Sequence, residues 1–334
     1  MTKKSTNSTD IDPKMKQAPL RRLCDCAQRI ILKGGTHLVF ILIGYSGLSA
    51  QEYPQIRQWQ EALPYFNPAA IARAESQQLM GLYSYTERRS KLYAVMTDLP
   101  VPFLGRSHGV GGQVIGRTRG LFTDTEFSVR YAWLQSLPRG GRIQVGLEGG
   151  LSRITFDGAR AIAEGITNAE LPTTKVEGKA FDLGVGLLWE QQRFSLGLSA
   201  QHLFASKVSF SDRYQVHLPR SYTAILSLYL GRVETGLSWR PSLLARYHDE
   251  SGYRIDMGLG AWWRNRFTAG LIYRWDRALG VQLGATIGGI FLGYQGECIT
   301  RRERQYQHEL LLRYYLPLTR STNKPTHYKS VRLL

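Results

Sequence analysis

The sequence predicts an all-β protein: a transmembrane outer-membrane β-barrel of about 14 antiparallel strands, preceded by a cleaved signal peptide. Three observations support this prediction. Apolar residues alternate with small or polar residues over many segments of strand length. The two longest connections between these segments fall on the same side of the predicted barrel. A short apolar run follows basic residues near the N-terminus.

The segment 179–204 shows the alternation most clearly. Its first half places five apolar residues on one face of a strand: Phe181, Leu183, Val185, Leu187 and Trp189. After a turn at Gln191 and Gln192 the pattern restarts at Phe194, which predicts a β-hairpin. The opposite face carries glycine, serine and glutamine, where a soluble sandwich would carry lysine, glutamate and threonine. This composition is typical of a strand with lipid outside and a crowded polar lumen inside.

Strand-length segments follow one another along the rest of the chain. We predict strands at 77–86, 91–99, 109–118, 122–134, 142–156, 179–190, 193–203, 221–230, 234–245, 252–263, 266–275, 278–286, 289–297 and 306–316. The number is even, as closed bacterial barrels require. With a periplasmic N-terminus, the longest connections, 157–178 and 204–220, both lie outside the cell, as barrel loops do. The connections 100–108 and 135–141 are too long for inner turns, and we expect errors in the strand bounds there.

The N-terminal 50 residues are predicted to be an export signal, with Met1 or Met15 as the start. Basic residues precede the apolar run 38–45, and the small residues of 46–50 offer a cleavage site before Gln51. An uncleaved anchor is the alternative, but the run is far shorter than the ~20 residues that a spanning helix needs. Cleavage removes two of the three cysteines and leaves Cys298, so no intrachain disulfide is expected.

The balance of charge is basic. Lysine and arginine number 43 against 26 aspartate and glutamate residues, a formal net charge of +17. A basic balance raises nucleic acid as a partner. The arginines, however, are scattered over strand ends and turns, and the sequence has no nucleic-acid-binding motif. We therefore expect no nucleic-acid partner.

Residues 51–76 show no strand alternation and are predicted to form a periplasmic arm or a plug. Within them, Tyr65, Phe66, Asn67 and Pro68 have two interpretations. Asn67 can bond its own backbone two residues on, and Pro68 keeps the residue before it out of the helical region, which makes a structural turn. Alternatively, Tyr65 and Phe66 are exposed aromatic anchors beside a rigid bend, and the segment docks a partner.

Six charged residues fall on the polar phase of the predicted strands: Arg130, Arg142, Glu148, Asp182, Arg254 and Asp256. A charge is costly on the lipid face of a barrel strand, so we place all six in the lumen. Internal ion pairs that fill the lumen explain them more simply than a selectivity ring does.

No catalytic grouping rises above background. The glycine-rich stretch 109–114 has no helix after it, and a phosphate site needs the N-terminus of such a helix. The histidines His202, His217, His248 and His308 lack the spacing of metal ligands. No serine lies in a nucleophile-elbow context. We expect no enzymatic activity, no metal and no cofactor.

Several pieces of sequence, in order along the predicted mature chain, resemble the PorP/SprF family of outer-membrane proteins of the type IX secretion system. The pieces are 65–70, 109–112, 127–132, 143–150, 181–203, 218–222, 240–244 and 307–315. The resemblance implies an outer-membrane secretion accessory linked to gliding motility. Its implied partners are the translocon, the periplasmic ring lipoproteins and secreted proteins with a C-terminal sorting domain. The basic charge and the tail 317–334, predicted to be periplasmic, depart from the expected pattern.

A second function stays open at this point. The physics of a barrel equally permits a passive diffusion channel or a transporter of hydrophobic solutes.

Overall fold

The computed structural model describes residues 56–71, 73, 76–86, 90–103, 106–166, 172–211, 214–232, 236–275, 278–299 and 305–317. The predicted signal peptide, residues 51–55 and residues 318–334 of the predicted tail lie outside this part of the chain. Seventeen strands are described: β1 Ser76–Thr86, β2 Ser90–Phe103, β3 Arg106–Arg119, β4 Phe122–Ser136, β5 Arg142–Asp157, β6 Lys175–Glu190, β7 Phe194–Gln201, β8 Lys207–Ser211, β9 Tyr214–His217, β10 Ser221–Leu228, β11 Leu230–Arg232, β12 Leu237–His248, β13 Gly252–Trp263, β14 Phe267–Arg274, β15 Ala278–Ile287, β16 Ile290–Ile299 and β17 Gln305–Pro317.

Within the described residues, the strands close into a barrel. Antiparallel neighbours follow the chain from β1 to β7, β10 pairs with both β7 and β12, and β17 pairs back with β1. The short β11 continues the line of β10 along β12, so the wall has 14 strands. The predicted closed barrel and its strand number are confirmed. No helix of the described residues is long and apolar enough to cross a membrane.

Side chains alternate across the wall as the period of two requires. In β6, Phe181 is 75% exposed on the outer face, whereas Leu188 is 3% exposed on the inner face. The outer face is apolar on every long strand, and polar and charged residues concentrate on the inner face. A lipid-facing band around a polar interior is the arrangement that a membrane barrel needs, because no side chain on the outside then has to be hydrated.

Connections at the two ends of the barrel differ in length. At the turn end, where β1 begins and β17 ends, tight turns join the strands, such as the Gly288–Gly289 pair with φ of +58° and +85°. Two consecutive residues with positive φ fit the twist of a two-residue hairpin. At the loop end lie the two longest connections, one with helix α2 (Gly158–Ala163) and one with the β8–β9 hairpin. Their predicted placement on the same side is confirmed.

Several predicted bounds differ from the structure. The connection 100–108 is mostly strand, since β2 runs to Phe103 and β3 starts at Arg106. Residues 100–103 pair with residues 106–109, so the two strands continue here although β2 contains two prolines. The connection 204–220 contains the β8–β9 hairpin, and β6 begins at Lys175, before the predicted residue 179.

Residues 56–71, called the lumen segment below, lie inside the barrel. They include the one-turn helix α1 (Leu63–Phe66) and a 3-10 turn (Pro68–Ala70). Most of their side chains are buried, and they contact wall strands as far apart in sequence as β3, β6, β12 and β17. The barrel core is therefore built between this segment and the wall.

Candidate functional site

The lumen segment turns sharply at the position that the sequence marks. Asn67 has φ −143° and ψ 113°, an extended conformation, and its Oδ1 accepts a hydrogen bond of 2.9 Å from the backbone N–H of Ala69. Pro68 starts the 3-10 turn, where its missing N–H is not needed. The Asn67 amide also donates to the backbone oxygen of Leu187 at 2.9 Å and of Leu198 at 3.3 Å. The turn is thus tied to β6 and β7.

Three inward glycines make room for this turn. A Cβ on Gly146 of β5 would lie 2.3 Å from the backbone nitrogen of Ala69. A Cβ on Gly186, its partner across the β5–β6 ladder, would lie 2.0 Å from Asn67 Oδ1. One on Gly197 of β7 would lie 3.0 Å from Asn67 Nδ2. Close backbone approach is the physical use of glycine in a strand.

An apolar core fixes the rest of the segment. Ile56, Trp59, Leu63 and Phe66 are all buried and pack with inward apolar residues of the wall: Met80, Leu82, Leu92, Ala94, Met96, Ile115, Leu188, Ile225, Leu244, Phe291 and Leu311. The expectation that Phe66 is an exposed anchor is wrong, because its side chain is 1% exposed. Tyr65 is half-buried, and its hydroxyl accepts from Arg117 at 3.3 Å.

Charges of the segment are matched by charges of the wall. Glu61 pairs with Arg240 of β12 at 2.6 Å and with Arg313 of β17 at 3.0 Å. Burial raises the pKa of Glu61, but the two guanidinium groups outweigh burial and hold the pKa below its usual value. Glu309 of β17 accepts the backbone N–H groups of Arg57 at 2.8 Å and Gln58 at 2.7 Å.

Sequence reasoning missed Glu61, Arg240 and Arg313 as a group. The signal was present in part, because Arg240 and Arg313 both fall on the inner phase of their strands. That both arginines pair with Glu61 could not be predicted, because it depends on the position of the lumen segment inside the barrel.

The six predicted lumen charges all lie on the inner face; five contact an opposite charge, and Asp182 contacts His202, which is charged when protonated. The pairs are Arg130–Glu148 at 3.3 Å, Arg142–Glu190 at 2.7 Å, Arg254–Asp256 at 3.2 Å and Asp182–His202 at 2.5 Å. They form several separate pairs along the lumen, and this arrangement is that of internal ion pairs.

His202 lies at the loop end, just after β7, with a positive φ of 57°. Burial lowers its pKa. The hydrogen bond and the charge of Asp182, together with the charge of Glu126, outweigh burial and raise the pKa above its usual value. A protonated His202 therefore stabilises the contact between this connection and β6.

A cavity of ≈ 60 Å³ separates the lumen segment from the loop end. It is lined by Tyr65, Arg117, Asp124, Glu126, His202 and Arg246, with Ser221 and His248 beside them. Asp124 and Glu126 pair with Arg117 at 2.6 Å and 3.0 Å. The cavity is thus polar and carries charges of both signs.

The four predicted histidines do not form one group, although His202 and His248 both line the cavity. His202 contacts Asp182, His248 lines the cavity, His217 lies in β9, and His308 contacts Tyr294 on the outer face at 2.8 Å. Within the described part of the chain, no three metal-ligating side chains lie close enough to hold an ion.

Solved structures similar to this chain are outer-membrane barrels. The Acinetobacter baumannii outer membrane protein Omp33 is 8% identical with a TM-score of 0.45, covering 72% of this chain and 98% of its own. The Ralstonia pickettii toluene transporter TbuX is 11% identical with a TM-score of 0.48, covering 76% and 93%. A Pseudomonas aeruginosa FadL homologue is 10% identical with a TM-score of 0.44, covering 74% and 92%. Such remote likenesses carry no argument about function.

A comparison with curated proteins found none that matches this chain. The family model for the type IX secretion system membrane protein PorP/SprF, in contrast, matches residues 48–314. The match covers more than half of the sequence and nearly all of the barrel, and it confirms the resemblance seen in the sequence. The chain therefore belongs to the PorP/SprF family of type IX secretion system membrane proteins, and its barrel makes it an outer-membrane protein.

Proposed function

We propose that this protein assists the translocation or surface anchoring of secreted proteins with a C-terminal sorting domain, by docking translocon or periplasmic ring subunits. Membership of the PorP/SprF family is the observation that carries the proposal. The barrel is the membrane anchor of this role, and the proposal includes no enzymatic activity.

The lumen segment favours a docking scaffold as the function of this barrel and disfavours an open channel. It fills the interior between opposite walls and is fixed by buried ion pairs and an apolar core. A diffusion channel or hydrophobic-solute transporter needs a path through the lumen. This second function would require the segment to leave its place.

We place the docking surface for periplasmic subunits at the turn end of the barrel. Short turns face the periplasm in bacterial barrels. Four exposed arginines stand in these turns: Arg139, Arg193, Arg264 and Arg266. Exposed charges of one sign on one end of the barrel favour a partner surface of opposite sign and speed the encounter with it. We therefore infer that an acidic face of a ring subunit meets this end.

A deletion strain tests the proposed role. Complementation with the wild-type gene should restore surface export of sorting-domain proteins, whereas uptake of small solutes should not differ between deletion and wild type. A variant with glutamate at the four turn-end arginines should form a normal heat-modifiable barrel but fail to restore export and to co-purify ring subunits. The matched control reverses Arg153 and Arg160 at the loop end, which are also exposed. Normal export in the deletion strain, with reduced solute uptake, would favour the transporter.

The docking role predicted for Tyr65 and Phe66 stays a prediction with a separate test. We propose that both aromatics are structural, because Phe66 is buried in the core. Alanine at both positions should then lower the temperature at which the barrel loses its compact gel mobility. Unchanged barrel stability with lost co-purification of a ring subunit would instead support docking by the segment.

A further inference from the structure

Arg246 of β12 is a buried cation without a counter-ion in the described residues. Its side chain points into the lumen, and the residue is 6% exposed. Its guanidinium lies over the ring of Phe66, 4.6 Å from the centroid. No carboxylate of the described chain lies within ion-pair distance, and its Nε has no hydrogen-bond partner there. Burying an unpaired charge is costly, so such a group is usually matched by something.

The nearby carboxylates form ion pairs with other cations. Asp124 and Glu126 both pair with Arg117. Asp256 is shared between Arg254 at 3.2 Å and Arg274 at 3.1 Å. None of these acids forms an ion pair with Arg246, so its guanidinium has no direct carboxylate partner in the described chain.

Other polar atoms without partners stand beside this charge. The register of β10 and β12 sets Thr223 opposite Arg246 and Ser221 opposite His248, all facing inward. Thr223 Oγ1 and His248 Nε2 are buried and have no hydrogen-bond partner in the described chain. Arg246, Ser221 and His248 also line the loop-end cavity. Arg246, Ser221 and His248 thus meet at one space, and a guanidinium with hydrogen-bonding groups beside it can hold a small oxyanion.

We propose that this cavity binds a single carboxylate group, held by Arg246 with Ser221 and His248. The size fits a small group, because the cavity of ≈ 60 Å³ is several times the ~10–15 Å³ that a single water molecule needs. A monoanion fits better than a phosphate dianion, because one negative charge is enough for an ion pair with Arg246, and Asp124 and Glu126 in the same lining repel a second one. The planar guanidinium matches the two oxygens of a carboxylate. The group comes from a small free acid or from a peptide side chain that enters at the loop end.

Thermal unfolding of the full-length mature barrel in detergent micelles tests the site. Acetate is the free-acid probe, N-acetylaspartate amide is the peptide probe, and chloride and phosphate at equal ionic strength are the references. Acetate should raise the unfolding midpoint in a saturable way relative to chloride, and phosphate should raise it less. A shift with acetate alone assigns a small free acid, and a shift with both probes assigns a peptide carboxylate as well.

Arg246→Gln should abolish the acetate shift, because glutamine keeps the polar side chain and removes the charge. The matched control Arg153→Gln removes an exposed arginine of β5 and should leave the shift unchanged. If Arg246→Gln does not refold, the variants Ser221→Ala and His248→Gln test the site instead. Both should weaken the shift of the unfolding midpoint that acetate causes. Equal midpoints in acetate and chloride, a larger shift with phosphate, or an undiminished shift in the variants that refold would overturn the proposal.

Discussion

Gly146→Ala should destabilise the barrel by displacing the turn of the lumen segment. The added Cβ would lie 2.3 Å from Ala69 N, 2.4 Å from Pro68 C and 2.5 Å from Ala69 Cα. All three are backbone atoms, so no side chain can rotate out of the way. An ordinary contact with a Cβ is about 3.5–4 Å, and the turn must therefore move by about 1 Å or more.

The expected magnitude follows from what this movement breaks. Overpacking in a tight core costs about 1–3 kcal/mol. The two hydrogen bonds from the Asn67 amide to β6 and β7 contribute about 1 kcal/mol each and would be stretched or lost. We expect a loss of about 3 kcal/mol in the free energy of unfolding, after part of the strain relaxes.

Urea unfolding of the refolded barrel in micelles measures this loss, followed by unboiled gel mobility and tryptophan fluorescence. The matched control is Gly149→Ala, on the same strand but on the outer phase, where an added Cβ meets nothing within 4 Å. That variant should stay within about 0.5 kcal/mol of wild type. Equal stability of the two variants would refute the contact between Gly146 and the turn.

Three further predictions concern charge and topology. Glu61→Gln should lower stability by about 3–5 kcal/mol, because it leaves two buried guanidinium groups without their shared carboxylate. His202 should make stability fall as the pH rises above about 6.5 and through its raised folded pKa, since its folded pKa is above the unfolded value. Epitope tags at Gly165 and Ser211 should label on intact cells, whereas a tag after Lys324 should not.

Controls separate these effects from general damage. Glu164→Gln breaks an exposed pair with Arg160 and should change stability by less than about 1 kcal/mol. The contribution of Glu61 should be present above the usual glutamate pKa and lost as the pH falls through the lowered folded pKa. His202→Gln should remove the pH dependence above neutrality, and its persistence in that variant would exclude His202 as the cause. Labelling of the Lys324 tag alone would reverse the assigned sides.

The wall could be predicted from the sequence because its signal is local. Each wall strand has lipid on one side and a polar lumen on the other. Apolar and polar residues therefore alternate with a period of two over about ten consecutive residues. All of the predicted segments correspond to wall strands, including the segment 221–230, which the structure divides into β10 and β11. The β8–β9 hairpin was missed, since its strands of 5 and 4 residues lie off the wall and lack that pattern.

The place of the lumen segment could not be predicted in the same way. Its contacts join residues up to 252 positions apart, such as the backbone of Arg57 and the carboxylate of Glu309. No local period records such a contact. The indirect signal was inward glycine: Gly146 and Gly186 are cross-strand partners on the lumen phase, which leaves a flat patch of wall. A flat patch inside a barrel predicts that backbone packs there.

The ion pairs of the lumen segment indicate that it is a fixed part of the fold and not a removable plug. Glu61 is the counter-ion of both Arg240 and Arg313, which lie on walls of the barrel that do not pair with each other. Withdrawal of the segment would leave two inward cations facing a wetter lumen and would expose the apolar residues around Phe66 and Met80. Each of these changes opposes withdrawal. A partner that engages Tyr65 or Phe66 would have to supply both a carboxylate that replaces Glu61 and a new apolar surface for the wall. A partner at the turn end meets exposed arginines without any rearrangement. The arrangement of charge therefore favours docking at the turn end.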